Sequence, residues 1–126
     1  MQKNHEEENK PGFTERLKKE VGFTPQQMSV FEPKKKAFWN DMRQRFDEIR
    51  STKRQFYFQI YDPNVPDSTI ENKALVIGKQ QKDLDLQVIK HFKDVRKICS
   101  SEQVIKFDSL VPYIIQRMTA LPDKRK

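Results

Sequence analysis

The residues with most chemical scope in this 126-residue chain are two histidines, His5 and His91, and a single cysteine, Cys99. A metal site needs several donors converging on one ion, usually His or Cys one helical turn apart. That spacing is missing: His91 has Gln87 and Val95 at its one-turn positions, and no His-x-x-x-His or His-x-x-x-Met occurs. Met28, Met42 and Met118 fall on apolar helical seams, where methionine ordinarily packs. His91 is expected in a core or an interface, with a ligand role as the weaker alternative. No metal site and no cofactor is assigned. Cys99 is expected as a small buried apolar residue. The alternative is a reactive thiol, its pKa lowered by the helix start that follows it, able to form a disulfide across a dimer. There is no glycine-rich phosphate loop and no nucleophile motif, so the chain is not expected to be an enzyme.

A second constellation is more suggestive. Trp39, Arg43, Phe46, Arg50, Lys53, Tyr57 and Tyr61 recur at steps of three and four, on one helical face. The face lies about 100° from the core seam of the same helix. Alternating cations and aromatics engage flexible segments that are both acidic and apolar, through Coulomb attraction and cation–π contact. The stripe therefore reads either as a surface that holds other polypeptides or as a dimer interface. The net charge of +7 and a pI near 9.5 also allow nucleic acid. Asp41, Asp47 and Glu48 interrupt the stripe's surroundings and no nucleic-acid module is legible, which leaves that reading a distant third.

The elements that position these residues are helices. Only 35% of residues are hydrophobic, 34% are charged and mean hydropathy is −0.92, too polar for a round core of this size. Helices that bury narrow stripes need less apolar residue. No run of about 20 apolar residues occurs, so no segment is expected to span a membrane.

Residues 1–12 read as a flexible polar tether, 13–120 as a single helical domain and 121–126 as a charged tail. The first helix is short, Phe13 to about Glu20, and Gly22 ends it. The second opens on a capping box, Thr24 with Gln27, with Pro25 at the first helical position. Its seam is Met28, Phe31, Phe38, Met42, Phe46, Ile49, Phe56 and Ile60, kinked at Pro33 and stopped after Tyr61 by Asp62-Pro63-Asn64-Val65-Pro66. The third is expected from a Ser68–Glu71 cap, with a seam of Ile70, Ala74, Ile77, Gln81, Leu84, Val88, His91, Val95 and Ile98. The fourth opens on Ser100 with Gln103, runs through Val104, Phe107, Val111, Ile114 and Met118, and bends at Pro112. The expected fold is all-α: an elongated four-helix, hooked antiparallel hairpin with one short N-terminal helix, two long helices and a shorter C-terminal one.

The caps echo each other. Thr24, Gln27 and Phe31 fall at the same offsets as Ser100, Gln103 and Phe107. This repeated hydroxyl-x-x-Gln motif resembles the paired LTxxQ motifs of the Spy/CpxP/CnrX group of bacterial envelope proteins. The run from His91 through Cys99-Ser100-Ser101-Glu102-Gln103 to Phe107 is similar to the membrane-anchored "periplasmic heavy-metal sensor" branch. The likeness covers roughly Phe13 to Met118. It departs in lacking the motif's leucine (Phe23 and Cys99 stand there) and in having Ser100 for threonine. It implies a periplasmic location, tethering to the inner membrane through a segment ahead of Met1, and a homodimer. It also implies an ATP-independent chaperone or stress adaptor that binds unfolded proteins or an envelope signalling partner. The alternative is a metal-responsive sensor signalling to an anti-sigma partner.

Overall fold

The computed structural model describes residues 12–120, which form helices and no strand. Helix α1 (Phe13–Arg16) widens into a π-helical turn, Leu17–Val21; α2 spans Pro25–Tyr57 and tightens into a 3-10 turn, Phe58–Tyr61; α3 spans Asp67–Ile98, α4 Ser101–Asp108 and α5 Val111–Ala120. The fold is all-α with two long helices. The polar stretch before Gly12, which includes His5, and the tail after Ala120 lie outside the described residues.

The described residues gather into two compact units, 12–31 with 95–120, and 32–94.

In the first unit the chain turns at Gly22, whose φ of 88° is the left-handed conformation that a side chain disfavours. The amides of Gly22 and Phe23 both donate to the Leu17 carbonyl, at 3.0 and 2.9 Å, which closes the π turn. Leu17, Val21, Phe23, Met28, Phe31, Val95, Phe107, Leu110 and Ile114 are buried. The Phe13 ring meets Phe31 and Phe107 edge-on at centroid distances of 6.2 and 6.3 Å, and Phe23 meets Phe31 at 6.4 Å. Edge-to-face contact suits the ring quadrupoles and adds to plain area burial.

The second unit is an antiparallel pair made by the bodies of α2 and α3. Two contacts fix its register: Phe38 stacks on His91 at 4.0 Å, and Gln80 Nε2 donates to Thr52 Oγ1 at 3.0 Å. Phe38, Met42, Ile49, Leu84 and His91 are its buried residues, all on the expected seams.

Four expected helices differ in detail, each for a local reason. The first helix keeps its span only by changing pitch at Leu17. The long second helix leaves α geometry after Tyr57, in a run of aromatic and β-branched residues with poor helix propensity. The third starts at Asp67, not at a Ser68 cap, because the Pro66 carbonyl accepts from Thr69 and Ile70 at 3.1 and 3.2 Å. The expected fourth helix is two, broken at Ser109-Leu110, where the Leu110 amide turns back to the Phe107 carbonyl at 2.8 Å. Pro112 does not bend a helix. It is the second residue of α5, where its missing N–H costs nothing.

Candidate functional site

Both capping boxes form. The Gln27 amide donates to Thr24 Oγ1 at 3.1 Å and the Thr24 amide to Gln27 Oε1 at 2.9 Å. At the other copy the Gln103 amide donates to Ser100 Oγ at 3.2 Å and the Ser100 amide to Gln103 Oε1 at 2.9 Å. Their meaning is not local, since the two glutamines meet. Gln27 Nε2 donates to Gln103 Oε1 at 2.6 Å, and Gln103 Nε2 donates back to Gln27 Oε1 at 3.0 Å. Each Nε2 has a second proton, and each uses it on the backbone two residues before the other cap: Gln27 on the Ile98 carbonyl at 3.0 Å, Gln103 on the Gly22 carbonyl at 2.8 Å.

A primary amide offers two donors and two acceptor lone pairs. Here all four are used in both side chains, and the pattern is two-fold symmetric. The arrangement explains the residue type. Glutamate caps a helix as well as glutamine does, but a carboxylate has no proton to give either the facing amide oxygen or the carbonyl.

Beside this clasp, Arg96 grips Asp108 with two bonds, Nε to Oδ1 at 2.8 Å and Nη2 to Oδ2 at 2.9 Å. The hydrogen bond from Arg96 holds the Asp108 carboxyl below its usual 3.8. Arg16 lies over the Tyr113 ring at 4.6 Å, and Arg117 donates to the same phenol oxygen at 2.9 Å. Cys99 is half-buried. Desolvation pushes its thiol up, and this outweighs the lowering by Arg96; Asp108 pushes the same way as burial. The raised thiol pKa runs against the alternative of an activated thiolate, and the residue is half-buried where a small buried apolar one was expected.

His91 lies flat on Phe38, with Phe92 edge-on at 4.8 Å. Burial lowers its pKa from 6.5 to about 4, with Asp94 opposing the shift and Lys34 adding to it. Its ring is neutral at pH 7 and packs as an aromatic. Among the described residues no group of three or more His, Cys, Asp or Glu is placed to hold a metal ion.

The cation–aromatic stripe stays on one helix from Trp39 to Tyr57, while Tyr61 leaves it for the 3-10 turn. Trp39 and Phe46 are half-buried, Lys53 and Tyr57 exposed. Arg43 donates to Asn40 Oδ1 at 2.6 Å and Arg50 pairs with Asp47, so both guanidiniums are steadied by their own helix. When two antiparallel seams face each other, the residues just past each seam position project to the same side. On α3 the residues past the buried positions Leu84 and His91 are Asp85 and Phe92, and the Phe92 ring lies 5.8 Å from Phe38. Leu75 and Ile89 are among the most exposed apolar residues of the unit. Asp41 and Asp83 pair with Arg45 and Lys79 of their own helices.

Comparison of the chain with protein-family models, curated proteins and solved structures finds no match.

Proposed function

We propose that this chain is a protein-binding helical module of the bacterial envelope, which holds unfolded or partner polypeptides without nucleotide in the manner of Spy/CpxP-like proteins. The observation that carries the reading is the stripe on α2, where Arg43, Arg50 and Lys53 alternate with half-buried Trp39 and Phe46 and exposed Tyr57. Cations that are steadied by short local bonds, next to half-exposed rings, suit a partner that has little fixed structure. Attraction at long range gathers it, and apolar contact retains it without a shaped pocket. The paired hydroxyl-x-x-Gln caps support the family side of the reading, and with it a periplasmic setting and a membrane tether.

The test is aggregation of a chemically unfolded client protein, followed by light scattering with and without this chain. A several-fold molar excess is expected to slow aggregation without ATP, less so in 0.5 M salt. Arg43→Glu with Lys53→Glu is expected to abolish most of the protection while circular dichroism stays unchanged. Absence of protection by the unaltered chain overturns the proposal.

A further inference from the structure

The outer face of α3 carries a pattern that the hairpin does not use. Leu84 and His91 are the buried residues of α3 in the second unit, and His91 stacks on Phe38 of α2. Two residues along a helix make a turn of about 200°, so Lys82, Leu86, Ile89 and Lys93 point away from α2. With Leu75 and Lys79 they form one stripe at steps of four and three, and all six are exposed. Leu75, Leu86 and Ile89 keep 70%, 54% and 61% of their surface open. Lys90 stands beside the stripe and is exposed as well.

No carboxylate of residues 75–93 lies on this stripe. The acids of that stretch are Asp83 and Asp85, about 100° from Leu84 on either flank. Each is engaged by its own helix, Asp83 by Lys79 at 3.1 Å and Asp85 by Gln81 Nε2 at 3.2 Å. Lys82, Lys90 and Lys93 make no ion pair among the described residues. A face that alternates ammonium groups with open aliphatic chains suits a partner that is anionic at its surface and apolar beneath. A partner helix fits poorly, because Lys79, Lys82 and Lys93 hold half of the seam positions and would be desolvated there. The same face of a second copy would bring lysine against lysine. Duplex DNA would take the lysines but set Leu86 and Ile89 against its phosphates.

We infer that this face of α3 docks on an anionic phospholipid bilayer, with the helix in the plane of the surface and α2 on the water side. The lysines meet headgroup phosphates, while Leu75, Leu86 and Ile89 reach toward the acyl boundary, as the apolar residues of interfacial helices do. From Leu75 to Lys93 the contact runs about 27 Å along the helix. Each lysine near such a surface gives roughly a fivefold gain in partition, and the gain fades within a Debye length. The contact is therefore reversible and sensitive to salt. It is not a span: among the described residues no helix is long and apolar enough to cross a membrane. It needs no segment ahead of Met1. None of its residues belongs to the α2 stripe from Trp39 to Tyr57, so it does not rest on the client-holding proposal.

Cosedimentation of the whole chain with vesicles of about 30% phosphatidylglycerol in phosphatidylcholine tests this. At low salt the chain is expected to pellet with these vesicles, and to stay in solution with pure phosphatidylcholine or in 0.5 M salt. Lys90→Glu/Lys93→Glu should lower the partition coefficient at least tenfold, and Leu86→Ser/Ile89→Ser at least threefold, with helicity unchanged. Lys36→Glu/Arg54→Glu, an equal change of charge at exposed positions of α2, should lower it less than threefold. Failure of the unaltered chain to bind the anionic vesicles overturns the inference, including a chain that binds polyglutamate or duplex DNA instead. So does a loss in the α2 variant as large as that in Lys90→Glu/Lys93→Glu.

Discussion

The side-chain amides of Gln27 and Gln103, 76 residues apart in sequence, donate to each other across 2.6 and 3.0 Å. Each also caps its own helix and bonds the chain leading into the other cap. Replacing either by Ala removes a cap and leaves part-buried partners to water, at a combined cost of about 1–3 kcal/mol. Gln27→Glu is the sharper probe, because it keeps the box and lacks the donor. It should cost nearly as much as Gln27→Ala. In a double-mutant cycle with Gln103→Ala, denaturant unfolding should show a coupling of about 1–2 kcal/mol. Additive losses would mean the two caps act separately.

His91 should make stability fall in mild acid. Its folded pKa of about 4 lies below the unfolded 6.5, so the neutral form is the one the fold accepts. The contribution is whole above pH 6.5 and is lost as pH drops toward 4, amounting to roughly 2 kcal/mol after allowance for partial solvent access. Thermal melts between pH 7.5 and 4 should show it, and His91→Phe, which keeps the stack on Phe38, should flatten that part of the profile.

Asp108 titrates below the ordinary carboxylate range while Arg96 holds it. Carbon-detected titration should find its midpoint under 3.8, moving up in Arg96→Ala. The pair is at the surface, so the displacement should shrink in 1 M salt.

Phe31 is fully buried, between the rings of Phe13 and Phe23. Phe31→Ala should destabilise by about 3–5 kcal/mol and Phe31→Leu by distinctly less, measured by urea midpoint. At the neighbouring turn, Gly22→Ala should cost about 1–2 kcal/mol for its positive φ alone, since nothing crowds the added carbon.

Much of this was legible in the sequence because the forces involved are local. Thr24-x-x-Gln27 and Ser100-x-x-Gln103 announce helix starts through atoms three residues apart. The buried positions Phe38, Met42, Ile49, Leu84 and His91 follow from helical period. What was hidden depends on chain segments far apart in sequence. The echo of the two caps was visible, but not that their amides face each other, since a capping box satisfies a helix start without help. The Ser68 cap was displaced by a carbonyl, Pro66, and a backbone acceptor leaves no mark in residue types. The break at Ser109-Leu110 was missed for a related reason: Leu110 suits the seam, and it stays buried while the backbone beneath it turns. The exposure of Ile60 contradicts its place on the apolar seam, and only packing could reveal it.

The clasp also sets a chemical lifetime. Glutamine amides hydrolyse slowly to carboxylates, and faster when hot. Elsewhere on this surface the change would add one more charge among many. At Gln27 or Gln103 it would convert a mutual donor into a repelling acceptor while leaving sequence length, helix caps and mass almost unaltered. Protein changed at either clasp glutamine alone, about one dalton heavier, should therefore open first on heating, ahead of protein changed at any exposed amide.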